Sequence, residues 1–144
     1  MARPKAIPRA NLKHARRKTP LFCGHKLTYN CNLKCKMCPF WKRTNQDLNT
    51  EKEKAILRKI HDSGVFAIAF EGGEPLLRKD LAEILAYSHS LSLHTSLITN
   101  GTLLESSIDE IASSINGVVY VSLDGLEKIH DAIRGVNGCA RDAQ

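Results

Sequence analysis

Val65-Phe66-Ala67-Ile68-Ala69-Phe70 runs directly into Glu71-Gly72-Gly73-Glu74-Pro75. An apolar run without alternation describes a strand buried on both faces, as in a parallel sheet covered by helices. The paired glycines then permit a backbone path with positive φ and a close approach to a ligand, while Pro75 holds Glu74 extended. Taken alone, such a segment is a plain turn at a strand end.

Helices are predicted on both sides of this strand. Thr50-x-x-Glu53 forms a capping box for a helix whose Ile56, Leu57 and Ile60 share one face and which Gly64 can end. Downstream, Asp80-Leu81-Ala82-Glu83 is a second cap, with Leu81, Ile84 and Leu85 on one stripe and a third strand around Leu93 to Ile98. The turn-prone Thr99-Asn100-Gly101 ends that strand. Ile108, Ile111, Ala112 and Ile115 then define a third helix, which Asn116-Gly117 closes before a fourth strand from Val118 to Leu123. Ser122 and Asp124, two residues apart, point to one side if that strand persists. With Gly24 to Asn30 as a first strand, the alternation gives a right-handed parallel α/β sheet. His89 and His94, near the second helix-to-strand connection, have no partner motif and read as structural or solvated.

The first strand delivers Cys31-Asn32-Leu33-Lys34-Cys35-Lys36-Met37-Cys38 at its carboxyl end, where the chemistry of α/β barrels sits. Three thiols so close together converge and suit a metal. A structural zinc site normally closes with four protein ligands, whereas an iron–sulfur cube held by three cysteines leaves one iron free. Lys34 and Lys36 would offset the negative charge of thiolates and cluster sulfides. Pro39-Phe40-Trp41 either shields such a cluster from water or packs locally beneath the loop. The five cysteines are an odd, uneven set, which argues for metal binding in a reducing compartment and against a disulfide framework. Cys23 and Cys139 are left as ordinary thiols.

Cys31, Cys35 and Cys38 match the CxxxCxxC signature of the radical S-adenosylmethionine (SAM) enzymes, and three further segments follow in that family's order. These are Gly72-Gly73-Glu74-Pro75, Val121-Ser122-Leu123-Asp124-Gly125 and His130-Asp131-x-x-Arg134-Gly135-x-x-Gly138. The chain resembles this superfamily, in the branch with SPASM-type peptide-modifying and molybdenum-cofactor-synthesis-like members. The resemblance implies a four-iron, four-sulfur cluster on Cys31, Cys35 and Cys38. It further implies reductive cleavage of SAM to methionine and a 5′-deoxyadenosyl radical. By the same likeness, Gly72, Gly73 and Glu74 receive the amino group of SAM, and Asn100 lies in a turn near it. Ser122 and Asp124 meet its ribose or methionine part, and Met37 covers its adenine. Arg134 grips its carboxylate or, alternatively, pairs with a neighbouring acid. An electron donor of the ferredoxin or flavodoxin type is implied, and the substrate stays open among a ribosomal peptide, a cofactor precursor, a protein side chain and RNA.

The fold implied is about four βα units of a six-strand partial barrel. Residue 144 falls in what should be the fourth helix, so the expectation is the first part of a longer core, with an open edge at the fourth strand. A cluster-binding fragment without catalysis is one alternative. A zinc module is another, with Cys23 or His25 joining the three cysteines and a basic arm on nucleic acid, but it leaves Gly72 to Pro75 and Ser122 to Arg134 unexplained. That arm is residues 1–20, which hold seven of the 21 Lys and Arg and no acid, leaving 14 basic against 15 acidic residues in 21–144. Its prolines and lack of apolar period read as an extended tail. At 42% hydrophobic residues the rest can form one domain, and no apolar run approaches the length of a membrane span, so a cytoplasmic protein is expected.

Overall fold

A computed structural model describes residues 20–43 and 46–143; the arm up to residue 19 lies outside them. Four parallel strands form one sheet in the order of the chain: β1 (Phe22–Thr28), β2 (Ala67–Gly72), β3 (His94–Thr99) and β4 (Val119–Val121). The connections carry α1 (Thr50–Asp62), α2 (Leu81–Ser90) and α3 (Leu104–Ile111), and α4 (Glu127–Arg134) and the short α5 (Cys139–Asp142) follow β4. This is the α/β partial barrel expected, with four strand-helix units. Ile68, Ala69 and Phe70 are all buried, so both faces of β2 are covered. Ile68 and Phe70 pack with Leu57 of α1, Ile84 of α2 and Leu97 of β3.

Several boundaries differ from the sequence reading. The cap of α1 is Asn49, whose side chain accepts from the Lys52 N–H at 3.0 Å, rather than a box between Thr50 and Glu53. Glu53 is drawn away because it is buried, with its carboxylate 2.7 Å from His25 Nε2 and 3.5 Å from Arg78. Asp80 occupies the cap position of α2 but makes no side-chain cap. It accepts instead from Arg78 Nε and Nη2 at 2.9 and 2.8 Å and from Thr50 Oγ1 at 2.7 Å. β2 starts two residues later than read, because Phe66 and Ala67 both donate to the Leu21 carbonyl where the strand begins.

The third helix stops at Ile111, although Ile115 still packs on the core. Beyond it, Asn116 accepts from the Thr95 N–H at 2.7 Å and donates to the Leu93 carbonyl at 3.1 Å. The connection is thereby stitched to the start of β3 before β4 begins. β4 has three residues rather than six, and its flank is open as expected: Val118, Tyr120, Leu123 and Leu126 are exposed. His89 and His94 lie at an exposed helix end and strand start.

Glu53 is the only acid among the described residues that faces both His25 and Arg78, and Arg78 keeps Asp80 in its absence, so Glu53→Ala should cost about 1–3 kcal/mol, the range for leaving a buried hydrogen-bonding group unpaired; urea unfolding measures it. The Arg78 guanidinium holds the Asp80 carboxyl below the usual range. A lowered folded value means stability that is present above the ordinary carboxylate pKa and lost as pH falls through the lowered one. The Asp80→Asn variant should therefore show a flatter loss of melting temperature on acidification than the parent.

Candidate active site

The carboxyl ends of the four strands surround a cavity of about 310 Å³. The loop after β1 contributes Cys31, Cys35 and Cys38 to its wall, together with Met37. Cys35 is buried and the other two thiols are half-buried. Leu33, 3% exposed, anchors the loop in the protein, and its N–H points to Cys31 Sγ at 3.4 Å. The Lys36 N–H donates to the Ile133 carbonyl of α4 at 2.9 Å, and the Trp41 indole donates to the Cys35 carbonyl at 3.2 Å. Trp41 thus supports the loop through its backbone, while Phe40 lines the cavity.

Gly72 and Gly73 form the wall contributed by β2. A side chain at either position would collide with backbone of the β1 end, at Thr28 or at Asn30. The glycines are therefore required by contact between strand ends. Their N-terminal partner is held in turn: Gly73 N–H donates to the Thr28 carbonyl and Glu74 N–H to the Asn30 carbonyl, both at 2.8 Å.

Glu74 is not in the cavity wall. Its carboxylate is wholly buried and accepts from Thr99 Oγ1 and the Asn100 N–H at 2.8 Å and from the Leu76 N–H at 3.1 Å. Burial pushes its carboxyl above the usual range, and the three donors pull it back. The physical reason for its inward turn is that β3 ends beside it with donors that need an acceptor. Asn100 does face the cavity, and its amide donates to Asn32 Oδ1 at 2.9 Å, so the turn after β3 clasps the cysteine loop. Asn32 also donates to Thr102 Oγ1 at 2.8 Å. The sequence reading missed Asn32; an amide between the cysteines, opposite a turn amide, is the signal that could have found it.

β4 ends at Val121, so Ser122 and Asp124 are not carried on a strand and separate. Ser122 lines the cavity, whereas Asp124 turns aside to accept from Arg134 Nε at 2.7 Å. His130, fully buried, accepts from the Asp124 N–H at 3.1 Å through Nδ1 and fixes that turn. Arg134 thereby meets the neighbouring acid, and its remaining edge still lines the cavity, with Nη1 at 3.8 Å from Cys35 Sγ.

His25, offered as a fourth zinc ligand, is held by Glu53, and Cys23 packs on the core with its thiol toward the Gly24 carbonyl. Among the described residues no three His, Cys, Asp or Glu side chains gather around a single-ion position. A four-iron cube spreads three thiolates wider than one tetrahedral ion does. Three thiols on one cavity, with a guanidinium beside the most buried one, are a donor set that a cube with one open iron can use.

The family description "Radical SAM superfamily" matches residues 26–142. The chain belongs to the radical SAM superfamily. It is 35% identical over 141 residues to the Fe-coproporphyrin III synthase of Methanosarcina barkeri, covering 93% of this chain and 34% of that protein. It is 32% identical over 127 residues to the PqqA peptide cyclase of Bradyrhizobium diazoefficiens, covering 85% and 33%. Among solved structures, Streptococcus suis SuiB bound to S-adenosylmethionine superposes with a TM-score of 0.73 at 29% identity, over 89% of this chain and 31% of that one. The anSMEcpe complex with AdoMet and the Cp18Cys peptide gives 0.69 at 25% identity, over 86% and 39%. The chain spans about a third of the length of the relatives it matches. Within this radical SAM core no helix among the described residues is long and apolar enough to cross a membrane.

Glu74→Gln keeps the shape but turns an NH₂ toward at least one of three N–H or O–H donors. It should cost about 1–3 kcal/mol of stability, the penalty for leaving a buried donor unpaired, read by urea unfolding.

Proposed function

We propose that this chain is the radical-generating part of a radical SAM enzyme, with Cys31, Cys35 and Cys38 holding a four-iron, four-sulfur cluster and the adjoining wall receiving SAM. The observation that carries this reading is the arrival of all three thiols on one cavity whose wall also includes Gly72, Gly73, Asn100, Ser122 and Arg134. When bound, the cluster supplies one electron to SAM, which yields methionine and a 5′-deoxyadenosyl radical able to take a hydrogen atom from a substrate.

The chain's own residues bind and orient. The backbone at Gly72 and Gly73 offers polar groups without side-chain bulk to the amino end of SAM. Arg134 faces the cavity with its Nη edge, since Asp124 occupies Nε, and that edge suits the SAM carboxylate as a charge-assisted donor pair. Asp124 and Glu74 act from behind, the first by aiming Arg134 and the second by setting the ends of β2 and β3. Asn100 and Ser122 supply polar contacts for the ribose or methionine part, and Met37 an apolar cover. Holding the two reactants in one orientation is most of what the protein can contribute.

A low-potential carrier must supply the electron. The cysteines are free thiols, which suits a reducing compartment such as the cytoplasm. The relatives' names divide between peptide and porphyrin chemistry, so no substrate is assigned.

The test is anaerobic reconstitution with iron and sulfide, followed by SAM, reductant and quantification of 5′-deoxyadenosine. The parent chain should form it in a cluster-dependent manner, and Cys35→Ala should lose both iron–sulfur absorbance and product. Arg134→Ala should keep its iron and sulfide while SAM affinity falls about tenfold, roughly the 1.4 kcal/mol of one charge-assisted contact. A fully loaded parent that yields no product would refute radical generation by this chain.

A further inference from the structure

The cysteine loop and the turn after it, residues 31–43, carry Lys34, Lys36, Lys42 and Arg43 and no acidic residue. All four side chains are on exposed residues. Without these four, residues 21–144 hold 10 basic against 15 acidic residues, so this is a local excess rather than a share of a basic average. Among the described residues none of the four is in an ion pair, whereas the adjacent Lys26 is neutralised by Glu71 at 2.9 Å.

The cations are also organised. Lys34 and Lys42 lie over the Trp41 ring at 5.9 and 5.3 Å, and Arg43 lies over Tyr29 and Phe40 at 5.3 and 5.4 Å. Such contacts fix where long side chains hold their charge. Beside them sits an uncharged centre, Met37 at 58% exposure and Pro39. The patch is joined to the thiol site by the bond from the Trp41 indole to the Cys35 carbonyl. Exposed apolar residues among unpaired cations, on the loop that carries the thiols, suit an acidic protein whose redox group lies near its own surface.

We propose that Lys34, Lys36, Lys42 and Arg43 form the docking face for a small acidic protein that delivers single electrons to the cluster. The inference rests on the radical SAM reading given above. In each transfer the carrier is oxidised by one electron and the cluster reduced by one, and no covalent bond is made or broken at the interface. Complementary charge raises the encounter rate and orients the partner, and both effects weaken as salt screens them. A basic patch with aromatic rings also suits single-stranded RNA. Here, however, Trp41, Phe40 and Tyr29 already carry their own cations, with which a stacking base would have to compete.

The test compares the parent chain with Lys42→Glu/Arg43→Glu and with a control of equal charge change on α1, Lys52→Glu/Lys59→Glu. Each is loaded with iron and sulfide, and the rate of cluster reduction is followed by loss of visible absorbance. The donors are a reduced acidic flavodoxin and photoreduced deazaflavin, a small neutral carrier. The patch variant should be reduced by flavodoxin at least about tenfold more slowly at low salt, with the gap closing as salt rises. Its reduction by deazaflavin and its iron and sulfide content should match the parent, and the α1 control should behave as the parent throughout. Binding of oxidised flavodoxin to the chains without iron, measured by titration calorimetry at low salt, reads the docking face independently of cluster loading. A chain that never takes up iron and sulfide but binds flavodoxin through the patch would refute the functional reading and keep the docking face. Equal flavodoxin rates and affinities in parent and patch variant would overturn the inference. So would patch-dependent binding of a short RNA oligonucleotide in the absence of flavodoxin binding.

Discussion

One buried residue sets the geometry of the site. Glu74 donates through its backbone to the end of β1 and accepts through its carboxylate from the end of β3, while belonging itself to the segment after β2. Three strand ends are therefore brought level by a single side chain and its own peptide. Gly72 and Gly73 make that approach sterically open, and the cavity is the space left above it. Such a carboxylate is costly to bury, and the cost is offset because every neighbour is a donor that would otherwise go unpaired.

A second chain of contacts closes the opposite side. His130 fixes the turn at Asp124, Asp124 aims Arg134, and Arg134 reaches Cys35, while the backbone of the same loop is tied to Ile133. The C-terminal end of α4 and the cysteine loop thus form one unit. Arg134 combines two positions in this arrangement, one edge on a supporting acid and the other on the cavity. That explains how an arginine can be both paired and available.

The architecture was legible because burial on both faces leaves a mark along the chain: Val65 to Phe70 shows no alternation, and the helical stripes around it show no other partner. The convergence of the cysteine triplet on one cavity was legible because their spacing is local. What escaped were destinations set by distant neighbours. Thr50 and Glu53 have the right spacing for a capping box, yet Glu53 serves His25 and Arg78, and nothing local encodes that. Asp124 stands two residues from Ser122, but the strand that would align them ends at Val121. Glu74 looked like a ligand-facing acid within a motif, and the donors at Thr99 and Asn100 that turn it inward lie 25 and 26 residues away. A side chain's direction in these cases follows from tertiary competition for hydrogen bonds, which a linear pattern does not hold.

The separation of Cys35 from Arg134 by 99 residues also has a consequence for the order of events during synthesis. The thiols leave the ribosome long before the guanidinium that flanks one of them, by on the order of ten seconds at ordinary elongation rates. For that interval the loop is a soft, three-thiol ligand without its supporting wall, open to capture by thiophilic ions such as copper or zinc. On the proposed reading, faithful loading thus depends on the cell keeping such ions scarce, or on the iron–sulfur donor waiting until α4 has closed over the loop.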